Sequence, residues 1–250
     1  MLNISDIAEN VIFLFEFWIQ TSIYIAFLMS LISNLVIYFV LALSIEITSK
    51  KVTKNNVFAQ FIDDRPFKKG QKAQEIKHGV IACIVFSVVS LIARVLFEGV
   101  LPDSIIQMCI EVLVFTIFYE TYSYFVHRLL HTKLLRKAHA VHHKSIRVSP
   151  WSAFSVHPIE AFFISMSAPL FMLLFNVHLS IIFAFHILGV LFTMILHSNL
   201  QLKRSILFSR VFNSYTHHHS THHLVGNVNF GFVNQFWDKL LKTNNKSHNT

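Results

Sequence analysis

The chain has 250 residues, of which 54% are hydrophobic and only 14% charged, against roughly 25% charged in ordinary soluble domains. Its 26 phenylalanines and mean hydropathy of +0.54 exclude a soluble globular domain and predict an all-α, multi-span integral membrane protein. The net charge of +8 is what a membrane protein with basic cytoplasmic loops carries; no interleaving of aromatic and basic residues accompanies it, so nucleic acid is not an expected partner.

In chain order, residues 1–10 carry Asp6 and Glu9 but no Lys or Arg, unlike the basic opening of a cleaved signal peptide, so the first span is expected to stay attached. The apolar stretch 11–47 exceeds the roughly 20 residues of one crossing and is interrupted by Glu16 and Gln20. That places the first span at 21–45 and the piece before it along the interface. Residues 50–77 hold eight Lys or Arg with Arg65-Pro66 and Gly70 and read as a polar connecting loop. Spans 79–100 and 104–126 follow as a hairpin turned at Leu101-Pro102-Asp103. A polar block at 127–158 comes next. The apolar stretch 159–196, broken at 176–180, suits another helical hairpin, and a second polar block runs from 201 to 250. Its Asn/Lys/Ser tail from Thr243 is expected to be disordered. The layout divides into residues 1–78, an N-terminal span with a basic cytoplasmic loop, and residues 79–250, a membrane domain bearing the histidine clusters.

Charge placement supports this order. Of the 21 basic residues, all but Arg94 fall within 50–77, 128–147, 203–210 and 239–246. Five spans with the N-terminus outside put all four segments, and every histidine cluster, on the cytoplasmic face.

The polar blocks hold most of the 16 histidines. If residues 215–224 are helical, His219, His222 and His223 sit at i, i+3 and i+4 and project from one face. His217 lies about 200° round from His219, and His218 borders the comb. His139, His142 and His143 repeat the same spacing, and His127 and His131 form an i, i+4 pair. One such pair at a helix end arises easily by chance in a histidine-rich chain; three clusters in two polar blocks are not explained as solvated surface. Cys83 and Cys109 lie in apolar runs without metal spacing, so eight imidazoles carry the chemistry. Zinc enzymes use three protein ligands and an open position, so eight ligands imply two ions. Imidazole suits iron, copper, nickel and zinc alike; a site beneath a membrane, facing cytoplasmic reductants, suits oxygen activation by iron. A zinc-dependent membrane hydrolase is the runner-up, weakened because no cluster contains a carboxylate base of the His-Glu-x-x-His kind. A histidine-rich metal transporter would place ligands inside the spans, where only His186 sits. His186 is expected to be structural, and His78, His178 and His248 lie outside any cluster.

The order Glu120-Thr-Tyr-Ser-Tyr124-Phe-Val-His127-Arg-Leu-Leu-His131, His139-Ala-Val-His142-His143, His157-Pro-Ile-Glu160, His218-His219-Ser-Thr-His222-His223, Asn229-Phe-Gly231 and Trp237-Asp238 resembles the fatty acid hydroxylase/sterol desaturase superfamily. The likeness covers roughly residues 80–240 and is nearest in motif to the lathosterol oxidase branch. It implies a non-haem centre of two iron ions that uses molecular oxygen to hydroxylate or desaturate a lipid of sterol or fatty acyl type. The eight cluster histidines correspond to iron ligands, and His157 and His197 match positions where members place further histidines. Glu120, Glu160, His218 and Asp238 are the expected outer groups. Glu120 stands where many members have Asp. No appended haem domain is evident, so the resemblance implies a separate electron donor, such as cytochrome b5 or a ferredoxin with its reductase.

Overall fold

The computed structural model describes residues 4–232 and 234–245; Lys246, His248 and the end of the tail lie outside them. In order come α1 (Ile4–Gln20), α2 (Ile23–Thr53), β1 (Ala59–Phe61), α3 (Gln71–Ser90) with a 3-10 turn at Leu91–Val95, α4 (Ile105–Leu130) and α5 (Arg136–His143). After a 3-10 turn at Pro150–Phe154 follow α6 (Pro158–Ser165), α7 (Ser167–Leu174), α8 (Leu179–Leu196), β2 (Leu200–Leu202), α9 (Ser209–Val225) and α10 (Phe236–Leu240). The expected all-α architecture holds, apart from β1 and β2, which pair antiparallel with Ala59 opposite Leu202 and Phe61 opposite Leu200.

Among the described residues, four helices are long and apolar enough to cross a membrane: Ile23–Thr53, Gln71–Val95, Ile105–Leu130 and Leu179–Leu196. The return pass between α4 and α8 is made by the shorter apolar stretch Pro158–Leu174, split at Met166 into two helices. Its far end is fixed to the turn after α3, where Glu98 N–H donates to Val177 O and Leu179 N–H to Gly99 O. The break expected at 176–180 is there, between α7 and α8.

The expected loop 50–77 is shorter than its composition indicates, because helices invade it from both sides. Glu46 accepts from Lys50 at 2.6 Å and from Lys72 at 2.8 Å; these ion pairs let α2 run to Thr53 and α3 begin at Gln71. The beginning of the tail departs from expectation too. Thr243 donates to Asp238 Oδ1 at 2.7 Å, and Asn245 N–H donates to Asn229 Oδ1 at 2.8 Å, so this part of the tail is bound into the fold.

Lipid tails are as apolar as leucine, so close packing and hydrogen bonds hold membrane helices together. Tyr38 on α2 lies over Gly79 on α3, where any Cβ would collide with the phenol, and stacks on Phe154 at 5.5 Å. Deeper in the bundle, Asn34 donates to Ser87 Oγ at 3.1 Å and accepts from His186 Nε2 at 2.8 Å. This ties α2, α3 and α8 together and gives the mid-span histidine a structural partner. Arg94, the basic residue outside the four segments, donates to the carbonyls of Ile19 and Thr21, neutralising the negative end of α1.

Candidate metal centre

The histidines gather where α4 and α8 end, with α5 and α9 lying across them. α4 presents His127 and His131 one turn apart on one side. α5, entered through the bonded turn Thr132–Leu135, presents His139, His142 and His143. His197 follows the last residue of α8, and α9 presents His219, His222 and His223.

These nine rings divide into two adjoining groups, each with its ligand atoms within 4.8 Å of one another. One holds His127, His131, His139, His143 and His222; the other holds His142, His197, His219 and His223. The division cuts through the combs. From α5, the i, i+4 pair His139 and His143 joins the first group while His142 joins the second; from α9, His219 and His223 join the second while His222 crosses to the first. The groups touch, with the His143 and His223 rings 5.0 Å apart.

Hydrogen bonds fix how several of the rings face inward. His127 Nδ1–H donates to Phe230 O at 2.9 Å, His222 Nδ1–H to Val228 O at 2.7 Å, His197 Nδ1–H to Thr193 O at 2.7 Å and His139 Nδ1–H to Glu160 Oε1 at 2.9 Å. A backbone carbonyl can only accept, so the Nε2 atoms of His127, His197 and His222 carry a lone pair when the rings are neutral. They point at one another's neighbourhood: Nε2–Nε2 separations are 3.3 Å for His131–His222, 3.1 Å for His139–His143, 3.3 Å for His142–His197, 2.9 Å for His197–His219 and 3.1 Å for His219–His223. Nitrogens about 2.1 Å from an ion are about 3.0 Å apart at right angles and about 3.4 Å apart at tetrahedral angles. The spacing therefore fits metal ions held between the rings.

The groups are also held neutral, as metal binding requires. Burial, reinforced by His143, pushes His131 down to about 4, and burial pushes His197 down to about 4. Burial first and neighbouring histidines second depress His139, His142, His219, His222 and His223 further, and burial lowers His143.

A family model described as fatty acid hydroxylase matches residues 112–243, more than half of the chain. The chain belongs to that family. Among its relatives, human lathosterol oxidase is 26% identical over 186 residues, covering 70% of this chain and 61% of that protein. The Delta(7)-sterol 5(6)-desaturase of Saccharomyces cerevisiae is 27% identical over 200 residues, covering 74% and 52%. That of Candida albicans is 33% identical over 129 residues, covering 50% and 32%. The chain thus spans about three-fifths or less of the length of these relatives. No solved structure matches it.

Within this fatty acid hydroxylase chain the other expected residues fall into place unevenly. Glu160, 3% exposed, touches His139 directly. Asp238, fully buried, accepts from His218 Nε2 at 3.2 Å, Phe230 N–H at 2.9 Å, Gly231 N–H at 2.7 Å and Thr243. Burial opposes ionisation there, but those four donors hold the carboxyl below the usual carboxylate value. Asp238 thereby shapes the segment whose Phe230 carbonyl orients His127. Glu120 accepts from Asn234 N–H at 2.9 Å and anchors the same segment from α4. His157 is not brought to either group: it caps α6, its Nδ1 accepting from Ile159 N–H at 3.2 Å. His78 meets Ser155 Oγ at 3.2 Å, and His178 donates to Glu111 at 2.7 Å. The acceptors Val228, Phe230 and Thr193 were missed by sequence reasoning because a backbone carbonyl carries no residue-type signal. Only the Asn229-Phe-Gly231 element pointed toward one of them.

Proposed function

We propose that the chain is a membrane-bound non-haem di-iron oxygenase that hydroxylates or desaturates a lipid, of sterol or fatty acyl type, with molecular oxygen and externally supplied electrons. The observation that carries this reading is the pair of adjoining groups of neutral imidazoles, with no Asp, Glu or Cys in either among the described residues. Two iron ions fit them, five rings to one and four to the other, and when bound supply the two-electron oxygen chemistry that an unactivated C–H bond needs. One oxygen molecule, two electrons and two protons turn C–H into C–OH with one water, or remove two hydrogens from adjacent carbons with two waters.

The chain's own residues set the conditions. The carbonyls of Thr193, Val228 and Phe230 fix ring tautomers and the Glu160 carboxyl orients His139, and burial of His139, His142, His197, His219, His222 and His223 keeps bulk water out. A metal transporter fits less well, because the mid-span His186 is engaged by Asn34. The basic segments support a cytoplasmic position for the histidine face, where cytochrome b5 or a ferredoxin with its reductase would deliver electrons. The names of the relatives make a Delta(7)-sterol the first substrate to try. Residues 79–250 would form the oxygenase unit and residues 1–78 its anchor.

The test is full-length chain in lipid nanodiscs, loaded anaerobically with Fe(II), then given oxygen and a chemical reductant with a Delta(7)-sterol or a fatty acyl lipid. We expect two irons per chain and a product heavier by one oxygen or lighter by two hydrogens. Full activity with a single ion, or with zinc alone, would overturn the reading.

A further inference from the structure

On the reading just proposed, a lipid has to bring one carbon from the bilayer to the histidine groups. A shallow apolar groove of about 350 Å³ on α4, lined by Phe118, Tyr122, Phe125 and Leu129 among others, is wrongly placed for this. At about 100° per residue these four stand roughly 160–220° round α4 from His127, so the helix itself, about 10 Å thick, separates a lipid there from the site.

The seam between α4 and α8 is placed differently. Tyr119 lies about 80° from His127 and about 12 Å toward the bilayer along α4. Its ring meets Phe232 at 6.0 Å, Phe232 meets Phe192 of α8 at 5.7 Å, and Phe192 meets Tyr215 of α9 at 5.7 Å, all edge-on. Phe192 is about 7.5 Å below His197, and Tyr215 is about one turn before His219. Phe232 comes two residues after Phe230, whose ring lies 5.1 Å from His131 and 5.9 Å from His222. Each of the four rings thus stands on an element that also carries or orients a proposed ligand. All four are half-buried, unlike the sealed core rings Phe115 and Phe171. Phe192 and Phe232 have no hydrogen bond to lose on turning, whereas the backbone presenting Phe232 is fixed: Gly231 N–H is bonded to Asp238, and a Cβ at Gly231 would strike Asn234 O and come within 2.7 Å of Asp238 Oδ2.

We infer that the cluster of Tyr119, Phe192, Tyr215 and Phe232 is the doorway for the hydrocarbon body of the lipid substrate, and that Phe192 and Phe232 set how far it advances and so which carbon reaches the ions. Aromatic rings bury a large apolar area against a hydrocarbon, and one methylene more or less in an apolar pocket shifts discrimination by about 10–200-fold.

The experiment uses full-length chain in phosphatidylcholine nanodiscs with either a sterol carrying a diazirine on its B ring or stearic acid carrying one at its tail. After irradiation, labelled peptides are mapped by mass spectrometry. The doorway predicts labelling of peptides holding Tyr119, Phe192 or Phe232 by one of the two probes, competed by the unlabelled lipid. Phe192→Trp and Phe232→Trp should each lower it by about tenfold, leaving labelling of the outer α4 groove and the iron content unchanged. The identity of the active probe decides between sterol and acyl chain. No competed label at the seam from either probe, or label indifferent to both substitutions, overturns the inference. Labelling needs neither iron nor oxygen, so a chain that labels at the seam but oxidises no lipid defeats the oxygenase reading alone.

Discussion

Replacing Glu160 tests whether the ring partners tune the metal groups. Glu160 Oε1 accepts from His139 Nδ1–H at 2.9 Å, and both residues are 3% exposed. Glu160→Leu removes the acceptor at similar volume and strands a buried N–H, at a cost of about 1–3 kcal/mol. It also frees the imidazole to turn or to change tautomer. Partners of ligating histidines are typically worth about 10–100-fold in metal affinity, which at about 1.4 kcal/mol per tenfold is the same energy reached from the hydrogen bond. Glu160→Gln keeps an acceptor oxygen in place and should lose less than about tenfold. Apo-chain titrated with Fe(II) against a competing chelator measures both. A Leu variant that binds iron like the parent would refute the argument. A Gln variant as weak as the Leu variant would show that charge, rather than the directed hydrogen bond, is what matters.

His222→Ala removes a ring shared with His131 and strands Val228 O; it should abolish lipid oxidation and lower bound iron, while His217→Ala, outside both groups, should keep most of both at matched expression. Equal behaviour of the two would sink the assignment. Asp238→Ala leaves the buried N–H groups of Phe230 and Gly231 without their acceptor, about 1–3 kcal/mol each, so a drop in thermal midpoint large enough to lower yield is expected, with the iron sites lost together. For pH, burial holds His131 and His197 at about 4 against an ordinary 6.5. Between those values the unfolded chain binds protons that the folded chain refuses, so apo-chain stability should fall as pH drops through that window and stay level above it. Urea midpoints that do not change across the window would contradict this.

Much of the centre was legible in the sequence because helical spacing converts directly into a shared side of a helix. The combs at His139–His143 and His219–His223 are helical and do converge. Spacing alone did not show that His142 and His222 leave their combs for the opposite group. An angular offset of about 100° between neighbours becomes a different ion only when a second helix lies alongside. His197 stands alone in sequence and was reached through resemblance, as was His157, which instead caps a helix. In the fold, hydropathy placed the long spans. It missed the split at Met166 and the ion pairs that extend α2 and α3 into the basic stretch, since windowed averages register neither a local helix restart nor Glu46 meeting Lys72 across two helices.

The crosswise exchange of His142 and His222 has a consequence for how the centre would fill. α5 and α9 each reach into both groups, so an ion caught by either group immobilises both helices. The second ion then meets rings already arranged, and its uptake requires less ordering than the first. Iron titration of the apo-chain should therefore be sigmoidal, with half-filled chains scarce at every point. In a cell short of iron, the population would divide into empty and complete molecules, so that scarcity lowers the number of working enzymes without altering what each one does.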